Sequence, residues 1–85
     1  MLKNKIVLVT GGAGRIGSAF CKAIIENRGK VIIGDISKDQ GKFLEKNLKP
    51  SNAFFIEADT SNVKSIKNLI ESGKDHFGRI DAAVH

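Results

Sequence analysis

The stretch that most limits what this chain can fold into is Lys5-Ile6-Val7-Leu8-Val9-Thr10-Gly11-Gly12-Ala13-Gly14-Arg15-Ile16-Gly17, an apolar run that breaks into glycines and then opens an amphipathic segment. Three of the four residues Ile6 to Val9 are β-branched, which suits a strand buried on both faces, as in a parallel sheet covered by helices. Gly11, Gly14 and Gly17 then stand three apart. A turn that binds a dinucleotide needs glycines so placed for a tight reversal, for close backbone approach to a pyrophosphate, and for close packing of helix on strand. The free N–H groups of the helix that follows would point at the phosphates, and its dipole would favour their negative charge.

Glycine spacing alone is a weak signal, so its surroundings decide. A second apolar run, Lys30-Val31-Ile32-Ile33-Gly34-Asp35, closes on a carboxylate twenty-four residues after Gly11. That is close to the roughly 20-residue spacing of the acid that binds the adenosine ribose hydroxyls in NAD sites. A mononucleotide P-loop is the nearest rival, since Gly12 and Gly17 have its glycine spacing. It fails at Ser18, which stands where a lysine should reach the outer phosphates, and Lys22 comes one turn too late.

Taken in order, Ile16, Phe20, Ala23 and Ile24 recur at helical spacing and predict a helix over about 15–28, with Gly29 as its stop. Ser37 and Gln40 have capping-box spacing; Phe43, Leu44 and Leu48 supply the second helix's apolar stripe, and Pro50 closes it. A third strand is predicted over 52–59, and Thr60, Ser61 and Asn62 are N-cap candidates for a third helix. Val63, Ile66, Ile70 and Phe77, with Leu69 beside them, carry that helix to Gly78, and a fourth strand begins within 79–85. Strand and helix alternating in this way predict an α/β, Rossmann-type parallel sheet of strand order 3-2-1-4 with helices on both faces. The ligand site is then expected where the order reverses, beside the glycine turn.

Composition excludes several alternatives. At 85 residues there is room for one small domain or part of one. No apolar run approaches the roughly 20 residues of a membrane span, so a soluble, cytoplasmic chain without a membrane partner is expected. The net charge of +5 invites a nucleic-acid reading, but Lys22, Lys30, Lys38, Lys42, Lys46, Lys49, Lys64, Lys67 and Lys74 are scattered over polar faces, which argues against it. The single Cys21 can form neither an intrachain disulfide nor a thiolate cluster and is read as packing; no metal site is expected. His76 is read as a solvated residue at a helix end.

These residues resemble the short-chain dehydrogenase/reductase family over nearly the whole chain. The likeness lies in Thr10-Gly11 at the loop, Asp35, the Asp59-Thr60 pair, and Phe77-Gly78-Arg79-Ile80-Asp81. It implies a cofactor-binding set of Gly11, Gly12, Gly14, Arg15, Ile16, Gly17, Asp35, Ile36, Asp59 and Thr60, with the loop on the pyrophosphate, Asp35 on the adenosine ribose, and Asp59 with the Thr60 backbone on the adenine edge. Independently, a carboxylate ending the second strand accepts ribose hydroxyls and repels a 2′-phosphate, so NAD is favoured over NADP. Arg15 is equally readable as a phosphate contact or a solvent-facing residue, and Asp59 also suits the N-terminus of the helix after it.

Gly14 and His85 are more similar to the family's extended branch, which includes sugar-nucleotide epimerases and dehydratases. The Asp59-Thr60 pair and the run from Phe77 to Asp81 are more similar to its oxidoreductase branch and weigh more. Family members use a tyrosine four residues before a lysine as acid/base, and this chain has no tyrosine. No catalytic residue is therefore expected here. The reading is the N-terminal, NAD-binding part (1–85) of an oxidoreductase that moves hydride between nicotinamide and a hydroxyl or carbonyl substrate, with an extended-branch sugar-nucleotide epimerase or dehydratase, or a noncatalytic dinucleotide-binding module, as the alternatives. A small-molecule substrate is expected only in a longer chain. The fourth strand, as an open edge, predicts self-association or a homo-oligomer through the uncovered sheet.

Overall fold

The computed structural model describes residues 2–11, 13–48 and 51–84. Gly12, Lys49, Pro50 and His85, all named above, lie outside the described residues. Strands and helices alternate as β1 (Ile6–Thr10), α1 (Arg15–Glu26), β2 (Lys30–Asp35), α2 (Lys38–Asn47), β3 (Ala53–Glu57), α3 (Val63–Phe77) and β4 (Ala82–Val84). The sheet runs β3-β2-β1-β4 with every pairing parallel, as the alternation predicts.

Period-two alternation in the strands sorts the core into two layers. Val7, Val9, Val31, Ile33, Ala53 and Phe55 pack with Cys21 and Ile24 of α1 and Leu44 of α2. Ile6, Leu8 and Ile32 turn the other way and meet Leu69 of α3. Helices therefore cover both faces. Val31, Ile32 and Ile33 are fully inaccessible, and each such aliphatic side chain contributes about 1.5–3 kcal/mol by leaving water. Burial also pushes the Cys21 thiol up to about 11, so it is a packing residue, as expected.

The helical stripes differ from the sequence reading. Ile16 is 75% exposed and Phe20 47%, while Cys21 and Ile24 take the buried positions of α1. The apolar arc of α1 is wider than the sheet beneath it. Phe20 and Ala23 overhang the β4 side and line a hollow of about 360 Å³ with Val7, Ala82 and Val84. Phe43 and Val63 are likewise exposed, leaving Leu44 and Leu69 to anchor α2 and α3.

Helix ends follow local chemistry. α1 stops at Glu26, before the predicted Arg28, because Arg28 itself takes the left-handed conformation (φ 69°) and the Gly29 N–H closes onto the Ile24 carbonyl at 2.8 Å. Ser37 Oγ accepts the Gln40 N–H at 3.4 Å, which places the N-cap of α2 as predicted. Of three candidates for α3, Asn62 is the cap, its Oδ1 accepting the Ser65 N–H at 3.2 Å. Gly78, at φ 92°, ends that helix. His76 is exposed but stacks on Phe54 with ring centroids 3.8 Å apart, so it is more tied down than a free helix-end residue.

The Phe77–Asp81 stretch has a structural job. Asp81 Oδ2 accepts the Ile6 N–H at 2.8 Å, Arg79 Nε lies 3.0 Å from the same oxygen, and the Arg79 guanidinium reaches the Asn4 carbonyl at 2.9 Å. The start of β1 and the approach to β4 are thereby joined. The Ile6 N–H first, and Arg79 second, hold the Asp81 carboxyl below the usual carboxylate range.

Candidate functional site

The site is built at the carboxyl ends of β1, β2 and β3, beside the point where the strand order reverses. Gly11 follows β1 with φ +66°, and its N–H carries the ladder one step further onto the Gly34 carbonyl at 2.7 Å. Among the described residues, chain neighbours aside, no atom lies within 4 Å of where a Gly11 Cβ would stand; the backbone angle is what calls for glycine. Gly14 is the N-cap of α1, its N–H donating to the Gly11 carbonyl at 3.1 Å and its carbonyl accepting the Ser18 N–H at 2.8 Å.

Among the described residues no side chain caps α1, and its first turn holds no acidic residue. α2 and α3, by contrast, are capped by Ser37 and Asn62. The partial positive charge at the start of α1 is thus left without a protein anion on its own helix. Arg15 and Ile16 are exposed in that first turn, Gly17 is half-buried there, and Arg15 forms no ion pair among the described residues.

Asp35 ends β2 half-buried, with both carboxylate oxygens engaged. Its Oδ2 accepts the Ala13 N–H at 3.1 Å and its Oδ1 the Ser37 N–H at 2.8 Å. Each oxygen keeps a further lone pair. Ile36 beside it is 67% exposed. Beyond β3, Asp59 Oδ1 accepts both the Ser61 hydroxyl at 2.7 Å and the Ser61 N–H at 3.0 Å, which holds its carboxyl below the usual range. Its own N–H donates to Ser65 Oγ at 2.8 Å, so Asp59 does organise the turn into α3.

Gly11, Asp35, Ile36, Asp59 and Thr60 come together with Gly34 and Ala58 around a cleft of about 170 Å³. Gly14, Arg15, Ile16 and Gly17 lie outside its lining, at the adjoining helix start. Four contributors escaped the sequence reading, Ala58 among them as a lining residue. Ala13 and Ser37 act through backbone N–H groups, which carry no residue-type signal. Gly34 has a packing role, since a Cβ there would meet Leu69 Cδ2 at 2.7 Å; its place in the apolar run before Asp35 was the available clue. A larger hollow, about 370 Å³, lies between α1 and α2 and is lined by Ala13, Lys22, Gln40, Phe43 and their neighbours. It holds none of the predicted binding residues that are described; strand ends, backbone donors and carboxylates converge instead on the smaller cleft.

Chemically, this arrangement offers N–H donors and a helix dipole to an anion, carboxylate acceptors to hydroxyl or amino groups, and an aliphatic surface at Ile36 to a ring. Among the described residues no cluster of His, Cys, Asp and Glu could hold a metal ion, and no helix is long and apolar enough to cross a membrane.

A sequence model described as short chain dehydrogenase matches residues 5–85. The chain is 32% identical over 85 residues to a Drosophila melanogaster 3-hydroxyacyl-CoA dehydrogenase type-2, covering 100% of this chain and 33% of that protein. It is 32% identical over 88 residues to the Rattus norvegicus 15-hydroxyprostaglandin dehydrogenase [NAD(+)], covering 99% of this chain and 33% of the relative. It therefore spans about a third of the length of these curated relatives. In fold it superposes with a TM-score of 0.94 on a 3-ketoacyl-(acyl-carrier-protein) reductase from Brucella melitensis solved with NADH, at 24% identity, covering 98% of this chain and 34% of that one.

Proposed function

The chain belongs to the short-chain dehydrogenase family, and from that premise we propose that residues 1–85 form the part of a dinucleotide-binding domain that holds the adenosine and pyrophosphate portion of NAD. Gly11, Gly12, Gly14, Arg15, Ile16 and Gly17 receive the pyrophosphate, aided by the uncapped start of α1. Asp35 accepts the adenosine ribose hydroxyls, Ile36 covers the neighbouring ring, and Asp59 with Thr60 meets the adenine edge. The observation that carries this reading is the Asp35 carboxylate at the cleft, held in place by two backbone N–H groups while each oxygen keeps a lone pair to offer.

Bound NAD would supply hydride exchange with a carbon bearing a hydroxyl or carbonyl group. This chain's residues bind and orient the cofactor; the chain spans about a third of the length of its relatives, and no catalytic residue is assigned within it. The acid at the end of β2 disfavours a 2′-phosphate, and the rat relative's name specifies NAD(+). Calorimetric titration of the chain with NAD+ and NADP+ tests the proposal. NAD+ should bind, and NADP+ should bind about tenfold or more weakly. Failure to bind NAD+ would overturn the reading.

A further inference from the structure

We infer that Asp35 is a positioning residue that presets the backbone at Ala13, just ahead of α1, for an anion, apart from any contact it makes with a sugar. The inference rests on the proposed cofactor site. Three hydrogen bonds among the described residues hold this connection ahead of α1: Gly11 N–H to the Gly34 carbonyl, Gly14 N–H to the Gly11 carbonyl, and Ala13 N–H to Asp35 Oδ2. The last of these ties Ala13 to the end of β2, across 22 positions of sequence.

The acceptor is itself fixed. Asp35 follows Val31, Ile32 and Ile33, none of which is accessible to solvent. Its carbonyl accepts the Ala58 N–H at 2.9 Å, and its second carboxylate oxygen holds the Ser37 N–H. Both ends of the side chain's reach are thus referenced to the most buried strand. A charged acceptor makes a stronger bond to a backbone N–H than a neutral one, and a glycine-rich connection has the most conformational freedom to lose.

Charge and positioning predict opposite signs, which makes the inference decidable. A carboxylate beside an anion site repels the anion, so if Asp35 acted only through charge, removing it would tighten binding of a bare phosphate. If it presets the turn, removing the bond to Ala13 loosens binding despite the lost repulsion.

The test uses the 85-residue chain with inorganic pyrophosphate, which has no ribose, as the probe. Asp35→Ser withdraws the acceptor from Ala13 while a serine hydroxyl can still serve the Ser37 N–H two residues on. Asp35→Asn keeps the length and an acceptor oxygen but removes the charge. Pyrophosphate should bind about threefold to tenfold more weakly to Asp35→Ser and as well or better to Asp35→Asn. Ala13 amide exchange, read by NMR without ligand, should quicken in Asp35→Ser alone. Unchanged Ala13 exchange, or undiminished pyrophosphate binding by Asp35→Ser, would overturn the inference.

Should Asp35→Ser fail to fold, the wild-type Ala13 amide decides: protection like that of β2 supports the inference, and exchange at the rate of an open loop overturns it. NAD+ binding by the wild type separates the two levels. A wild type that binds NAD+, with Asp35→Ser holding pyrophosphate undiminished, sinks the positioning role and leaves the cofactor reading standing. A wild type that binds neither NAD+ nor pyrophosphate sinks both.

Discussion

Glu45 Oε2 accepts the Phe55 N–H at 2.6 Å, so a side chain from α2 occupies a donor on the outer rim of β3. β3 is an edge strand with β2 as its one neighbour in the sheet, and unpaired edge donors are templates for pairing with another chain. Glu45→Ala should cost about 1 kcal/mol of stability and increase concentration-dependent association. Denaturant unfolding and light scattering read the two effects; unchanged scattering would remove the edge-guarding role.

Asp35→Ala should weaken NAD+ about tenfold to a hundredfold while narrowing the preference over NADP+, because a charge-assisted acceptor and a repulsion of the 2′-phosphate disappear together. Comparative titration with the two dinucleotides checks it. An unaltered preference would take Asp35 out of cofactor discrimination.

Gly11→Val should lower NAD+ affinity about tenfold or more, since a β-branched residue is strained at φ +66°. Among the described residues nothing crowds that Cβ position, so the backbone angle and not core packing is the cause. Equal affinity in the variant would dissociate the turn from ligand binding.

Gly41→Ala reverses the usual helix rule. Alanine is favoured over glycine within a helix by about 1 kcal/mol, yet a Cβ at position 41 of α2 would run into the Phe55 ring, itself only 9% exposed. The variant should be less stable by about 1–3 kcal/mol, measured by denaturant unfolding. A more stable variant would show that the ring yields freely.

Acid should release the clamp at Asp81. Its folded carboxyl sits below the usual value because the Ile6 N–H and Arg79 favour the charged form. In that window the unfolded chain binds more protons than the folded one, so stability rises with pH. The contribution is fully present above the unfolded value, about 4, and is lost as pH falls through the lower folded value. Asp81→Asn should therefore be destabilised at pH 7 and converge on wild type in strong acid, as read by denaturation midpoints across pH. A constant difference at all pH values would mean that packing, not charge, carries the effect.

Much of the fold was legible because its cues are local. Apolar runs, glycines and capping residues mark Lys30–Asp35 as β2, Ser37 as a helix start, the Thr60–Asn62 stretch as another, and Gly78 as a stop. Helix faces were less legible. Ile16, Phe20, Phe43 and Val63 keep helical period but lie away from the sheet, since periodicity describes a helix and does not say how much of its apolar arc a neighbour covers. The candidate site divides in the same way: Asp35 and Gly11 are singled out by type and spacing, whereas Ala13 and Ser37 contribute only main-chain donors.

The sequence by itself determined the order of strands and helices, the glycine turn and the acid after the second strand, because each depends on the conformational preferences of a few adjacent residues. The tertiary structure alone decided that Asp35 holds Ala13, that Glu45 guards Phe55 and that Asp81 joins Ile6. Those are contacts between residues distant along the chain, and a parallel sheet sets their partners through crossover geometry and register, which no local pattern encodes.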